Sequence, residues 1–248
     1  MDLKKLSTTK ITQVYYGLFL NRCYLCDTPS HNTFCHSCQA GLIRNDQHCL
    51  QCQRPIHSTS QICGRCQIQA LSYQRCIAPY RFEGIIKTLI HSVKFHQGNH
   101  YIRPLMSLLS EQLRQEYDQQ TWPEQLIYVP SHPHRIKERG FCQTRAMSTQ
   151  LIKQLRRQEP DLTLKFAAKN PLIKTLHTQA QHSLSRKARL NTPRDLYRVT
   201  GHVAKHVALF DDVMTTGSTV EYCCQQLLQA GAERVDVWVL ARTADKAF

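Results

Sequence analysis

Apolar residues follow two patterns along this chain of 248 residues, and the patterns take turns. Short unbroken apolar runs at 126–129 and 207–210, mostly apolar runs at 77–82 and 235–240 that are interrupted by Arg81 and Asp236, and a weaker one at 162–166 have the length of strands, the unbroken ones that of strands covered on both faces. Between them, 84–93, 101–117, 142–158 and 220–230 carry apolar residues at helical spacing; in the second, Leu105, Leu108, Leu109 and Leu113 share one face. Strands alternating with helices predict an α/β fold over residues 75–248, an open, mostly parallel sheet with ligands bound beyond the carboxyl ends of its strands. Three stretches break the rhythm. Residues 1–22 predict a short amphipathic helix, 23–70 are polar and rich in cysteine, and 174–194 read as a polar loop with a short helix, placed to act as a lid.

The most informative run is 207–219, V-A-L-F-D-D-V-M-T-T-G-S-T. A buried strand feeds two acids, Asp211 and Asp212. Thr215, Thr216, Gly217, Ser218 and Thr219 follow, just before a helical pattern. Small hydroxyl side chains, a glycine that tolerates positive φ and the N–H groups of a starting helix can hold a phosphate without a lysine. Acids beside a phosphate make sense if ribose hydroxyls or Mg²⁺ lie between them. The plainer alternative is a strand end followed by an N-cap turn.

The cysteines carry a second signal. Cys23/Cys26, Cys35/Cys38, Cys49/Cys52 and Cys63/Cys66 form four C-x-x-C pairs among twelve cysteines. Two residues between thiols let both sulfurs face one ion, and two such knuckles complete a tetrahedral four-sulfur shell, so the eight thiols can hold two structural Zn²⁺ ions. Sequential and interleaved pairing both satisfy the spacing. An iron–sulfur cluster is the competing metal; regular knuckles with polar flanks favour zinc. His31, His36 and His48 lie nearby but are not needed as ligands, and Cys76, Cys142, Cys223 and Cys224 read as small buried apolar residues.

Charge sharpens both readings. The formal net charge is +14, which favours polyanionic partners. Residues 131–200 hold 15 Lys and Arg against 4 acids. Within them, after the strand at 126–129, a proline-punctuated basic loop presents Arg135, Lys137 and Arg139 to a second anionic group. C-x-x-C pairs of this kind suit a reducing, cytoplasmic compartment, and the apolar run near the amino end is too short for a membrane span.

The 207–219 run closely resembles the phosphoribosyl diphosphate (PRPP) motif of type I phosphoribosyltransferases. With the cysteine pairs, Val93-Lys94-Phe95, Arg139-Gly140-Phe141-x-Gln143, Thr178-x-x-Gln181-x-x-Leu184-Ser185-Arg186-x-x-Arg189 and Val239-Leu240-Ala241-Arg242-Thr243, the chain resembles the ComF family. That resemblance implies an amino-terminal double zinc module over 23–70 joined to a phosphoribosyltransferase-like domain. It implies that Asp211 and Asp212 hold the ribose with Mg²⁺, that Thr215 to Thr219 grip the 5′-phosphate, and that Arg135, Lys137 and Arg139 face the pyrophosphate. It further implies a role in natural transformation, with single-stranded DNA met by Lys94, Arg186, Lys187 and Arg189 and with other DNA-uptake proteins as partners. The chain departs from the family where Cys142 replaces a usual Asn, and in the string Val129-Pro130-Ser131-His132-Pro133-His134.

Overall fold

The computed structural model describes residues 21–56, 60–95, 98–166, 169–175 and 196–244. The expected helix at 1–22 therefore lies almost wholly outside the described residues, as do Arg186, Lys187, Arg189 and most of the expected lid. The chain divides into two compact units, Met1–Ile43 and Arg44–Phe248.

The first unit contains one cysteine ribbon. Strands β1 (Asn21–Arg22) and β2 (Pro29–Ser30) pair antiparallel around the first knuckle, and helix α1 (His36–Ala40) begins inside the second, directly after Cys35, and carries Cys38.

The second unit starts with the other ribbon and its helix α2 (Gly64–Ile68). Then come β3 (Arg75–Ile77), β4 (Tyr80–Arg81), α3 (Gly84–Phe95), a 3-10 turn at Asn99–Tyr101 and α4 (Ile102–Tyr117). They are followed by β5 (Gln125–Tyr128), α5 (Pro133–Arg139), α6 (Gln143–Gln158), β6 (Lys165–Phe166) and β7 (Leu172–Lys174). The chain continues through β8 (Tyr197–Val199), β9 (His206–Met214), α7 (Ser218–Gln229) and β10 (Arg234–Arg242). The main sheet runs β3-β10-β9-β5-β6, with β4 also on β10, and its pairings are parallel. β7 and β8 form a separate antiparallel pair.

The alternation of side chains along β9 separates two cores. Val207 and Leu209 join Val235, Val237, Val220, Cys223 and Leu227 beneath α7. Ala208 and Phe210, also fully buried, have the opposite parity, on the side where α4 and α6 cover the sheet. Fully buried Asp236 is compensated by Tyr117 Oη at 2.6 Å, by His206 Nε2 at 3.0 Å and by Arg234 Nε at 3.0 Å.

Three local expectations need correcting. The first strand is split into β3 and β4. The basic loop is the short helix α5, opened by Pro133 and capped by the His132 ring, which accepts from the His134 N–H at 3.1 Å. Cys142 is half-buried beside Ser131 and Thr144, whereas Cys76, Cys223 and Cys224 are buried as expected. Among the described residues, no helix is long and apolar enough to cross a membrane.

Candidate functional site

Strand β9 runs longer than its apolar core, so Asp211 and Asp212 lie within its carboxyl-terminal part, paired with β10. Because successive strand residues face opposite ways, the two acids look out on opposite faces of the sheet. Asp212, 7% exposed, lies on the α6 face. Its Oδ2 accepts from Gln143 Nε2 at 2.7 Å and pairs with Lys94 Nζ at 2.6 Å. Arg139 Nη1 in turn donates to Gln143 Oε1 at 3.4 Å, and its guanidinium lies 5.0 Å from the Phe95 ring centre. Lys94, Phe95, Asn99, Glu138, Arg139 and Phe141 line a cleft of about 540 Å³ there.

Asp211 has the other parity, toward β7, β8 and α7. Burial, and then the charge of Asp212, pushes its carboxyl well above the usual carboxylate range. Lys174, on β7, lies 5.1 Å from the Tyr197 ring centre and is lowered by burial and then by the charge of Arg135. His132 is lowered by burial and then by Lys174. Arg135 and Arg139, four residues apart on α5, share a face, and Lys137 lies between them on the other side.

Beyond Met214 the chain turns through Thr215 and Thr216 to Gly217, whose φ of 81° and ψ of 0° suit glycine, and α7 begins at Ser218. Thr215, Thr216, Ser218 and Thr219 are exposed, and Thr216 Oγ1 meets Ser218 Oγ at 2.9 Å. The backs of these peptides are bonded by arginines. Arg65 Nη1 donates to Thr216 O at 2.5 Å, and Arg242 Nη1 donates to Met214 O at 2.8 Å and to Thr215 O. The structure thus brings the acid pair, the small-residue turn and basic α5 to one edge of the sheet. Lys94, expected among DNA contacts, sits on Asp212.

Sequence reasoning assigned no role in this site to Gln143, Lys174, Arg65 or Arg242. Gln143 and Arg242 stand inside the quoted motifs, so a signal was present for both. It also missed a second cationic surface, a cleft of about 520 Å³ between α4 and α6 lined by Arg103, Gln150, Lys153, Arg156 and Arg157.

The cysteines pair in sequence order. The sulfurs of Cys23, Cys26, Cys35 and Cys38 lie within 4.8 Å of one another, as do those of Cys49, Cys52, Cys63 and Cys66. Cys26 and Cys35 sulfurs are 3.6 Å apart and Cys52 and Cys63 sulfurs 3.7 Å apart, close to the edge of a tetrahedron with Zn–S bonds of ~2.3 Å. Both sets fit Zn²⁺, and neither four-sulfur set includes a histidine.

The chain is similar to several known proteins. The double zinc ribbon domain family matches residues 15–67. The chain is 30% identical over 228 residues to the DNA utilization protein YhgH of Escherichia coli O157:H7, covering 89% of this chain and 96% of that protein. It is 26% identical over 218 residues to competence protein ComFC of Streptococcus pneumoniae, covering 84% and 87% of the two chains. Among solved structures, a hypoxanthine-guanine phosphoribosyltransferase from Bacillus anthracis is similar with a TM-score of 0.32 at 10% identity, over 60% of this chain and 74% of that one. Competence protein F of Haemophilus influenzae is 31% identical over 238 residues, 91% of this chain and 99% of that protein, and the chain belongs to the ComF family.

Proposed function

We propose that the chain binds PRPP with Mg²⁺ and single-stranded DNA, and that it serves DNA uptake or processing. The observation that carries the first half is the acid pair in β9 followed at once by the Gly217-capped start of α7. In this reading Asp211 and Asp212 orient the ribose hydroxyls, and the Mg²⁺ that accompanies PRPP supplies charge neutralisation. The N–H groups and hydroxyls of Thr215 to Thr219 hold the 5′-phosphate. Arg135, Lys137 and Arg139 offset the charge of the pyrophosphate. Lys94 neutralises Asp212 in the free protein and is replaced there when the ligand arrives.

The names of the relatives, a DNA utilization protein and competence proteins, support the second half. So does the charge. Arg103, Lys153, Arg156 and Arg157 take part in no ion pair among the described residues, which leaves them available to a phosphodiester backbone. Lys94, Arg186, Lys187 and Arg189 belong to the same proposal.

The deciding experiment follows PRPP consumption with and without single-stranded DNA and free bases. Binding without pyrophosphate release fits a ligand-binding protein of DNA uptake. Release that requires an acceptor identifies an active phosphoribosyltransferase instead. DNA affinity should fall steeply with added salt; a flat salt series contradicts the electrostatic account.

A further inference from the structure

The second cysteine ribbon is built into the back of the turn at residues 214–217. Arg65 stands between two of the ribbon's ligands, Cys63 and Cys66, and its guanidinium bonds Thr216 O at 2.5 Å. The same group is the third nearest atom, at 3.8 Å, to where a side-chain carbon on Gly217 would lie. Arg242, 1% exposed at the end of β10, faces the ribbon and the turn together. Its Nε donates to the carbonyl of Cys52, a ligand of the same set, at 3.1 Å, while Nη1 donates to Met214 O at 2.8 Å and to Thr215 O. A further tie lies next door. Ser72, just past the ribbon, donates to Glu221 in the first turn of α7 through Oγ at 2.6 Å and N–H at 3.1 Å.

The consequence follows from peptide geometry. In a planar trans peptide the C=O of one residue and the N–H of the next point in opposite directions. The carbonyls of Met214, Thr215 and Thr216 are drawn back onto Arg242 and Arg65, so the N–H groups of Thr215, Thr216 and Gly217 are aimed the other way. Three neighbouring donors are thereby aligned on the side away from the ribbon. An unsupported turn would let these peptides rotate, and a phosphate would have to align them at a cost in affinity.

Charge gives a reason for this coupling. A buried guanidinium needs compensation, yet among the described residues Arg242 has no carboxylate partner; its bonds go to three carbonyls. Four thiolates around Zn²⁺ leave a net formal charge of about −2. The ribbon therefore supplies the anionic neighbour that makes a buried Arg242 tolerable.

We infer that Arg65 and Arg242 are positioning residues that join the Cys49/Cys52/Cys63/Cys66 set to the phosphate-binding turn, so that the second ribbon is part of the phosphate site. This rests on the phosphoribosyl reading above. The test is calorimetric titration of ribose 5-phosphate and of Mg-PRPP into the full chain and into Arg65→Ala and Arg65→Lys, with bound zinc and amide exchange at 215–217 measured in parallel. Arg65 is only half-buried, so both variants should fold. Arg65→Ala should keep its zinc, exchange faster at 215–217 and bind both ligands about tenfold more weakly, in keeping with one charged hydrogen bond. Arg65→Lys, which keeps one donor for Thr216 O, should recover most of that loss. If the full chain binds and Arg65→Ala binds within twofold of it, the positioning role is overturned and the phosphoribosyl reading stands. If the full chain binds neither ligand, that reading fails and the inference falls with it.

Discussion

In the first ribbon the knuckle turns at Asp27, φ 58°, and in the second at Gln53, φ 55°, each immediately after a ligand cysteine. The bonds repeat as well. Asp27 N–H returns to Cys23 O at 2.9 Å and Gln53 N–H to Cys49 O at 2.9 Å, while Cys35 and Cys63 each precede a five-residue helix. The surroundings differ. In the first set only Cys23 is buried and Cys26 is exposed, whereas all four cysteines of the second set are buried. The second set also belongs to the compact unit that contains the sheet, and is bonded to the turn after β9. One local design thus stands in two settings, and under the inference above the second ribbon would also brace the proposed phosphate turn.

The largest expected effect separates the two. Because structural zinc supplies ~10–16 kcal/mol to the folding of isolated fingers, losing a ligand should cost each ribbon its ion. Cys49→Ser should abolish Mg-PRPP binding together with one zinc; Cys26→Ser should lose one zinc and keep its PRPP affinity within twofold. Metal analysis and calorimetry on the same samples check both halves. Equal losses of affinity would erase the distinction.

A smaller effect is expected at Gly217. Valine there must adopt φ near 81° and place a side-chain carbon 3.4 Å from Met214 Sδ. Backbone strain of this kind costs ~1–3 kcal/mol, and denaturant unfolding should show a loss in that range. PRPP affinity should fall with it, since the same residue shapes the phosphate turn.

The smallest effect concerns Asp211. Its folded carboxyl is raised by burial and by Asp212 above the ordinary value of 3.8. The folded state thus holds a proton that the unfolded chain releases, and stability falls as pH rises from near 3.8 through the raised folded value. Asp211→Asn removes that penalty. It should raise the melting temperature at neutral pH, and the gain should vanish at pH below the ordinary carboxyl value.

Much of this was legible in the residue pattern. Apolar runs located β5, β9 and β10, since a strand covered on both faces leaves little choice of residue, and the C-x-x-C spacing implied two four-sulfur sites. Basic residues at 135–139 suggested a loop, but Pro133 at a first helical position and Gly140 with φ 79° at the end are helix boundaries. What could not be read were long-range partners. Lys94 and Asp212 are joined only when α3 packs beside the end of β9, and Arg65 reaches a carbonyl 151 residues away. No local periodicity encodes such contacts. Arg242 did leave a trace, a cation directly after the buried apolar stretch from Val237 to Ala241.

The central claim is that β9 and the turn after it form a phosphoribosyl site, and one titration addresses it directly. Mg-PRPP is titrated calorimetrically into the full chain and into Asp212→Ala, which removes the carboxylate now shared by Gln143 and Lys94. The account predicts saturable binding to the full chain and an affinity at least tenfold weaker in the variant, as expected when charge-assisted contacts are lost. Equal affinity in the two proteins would contradict it.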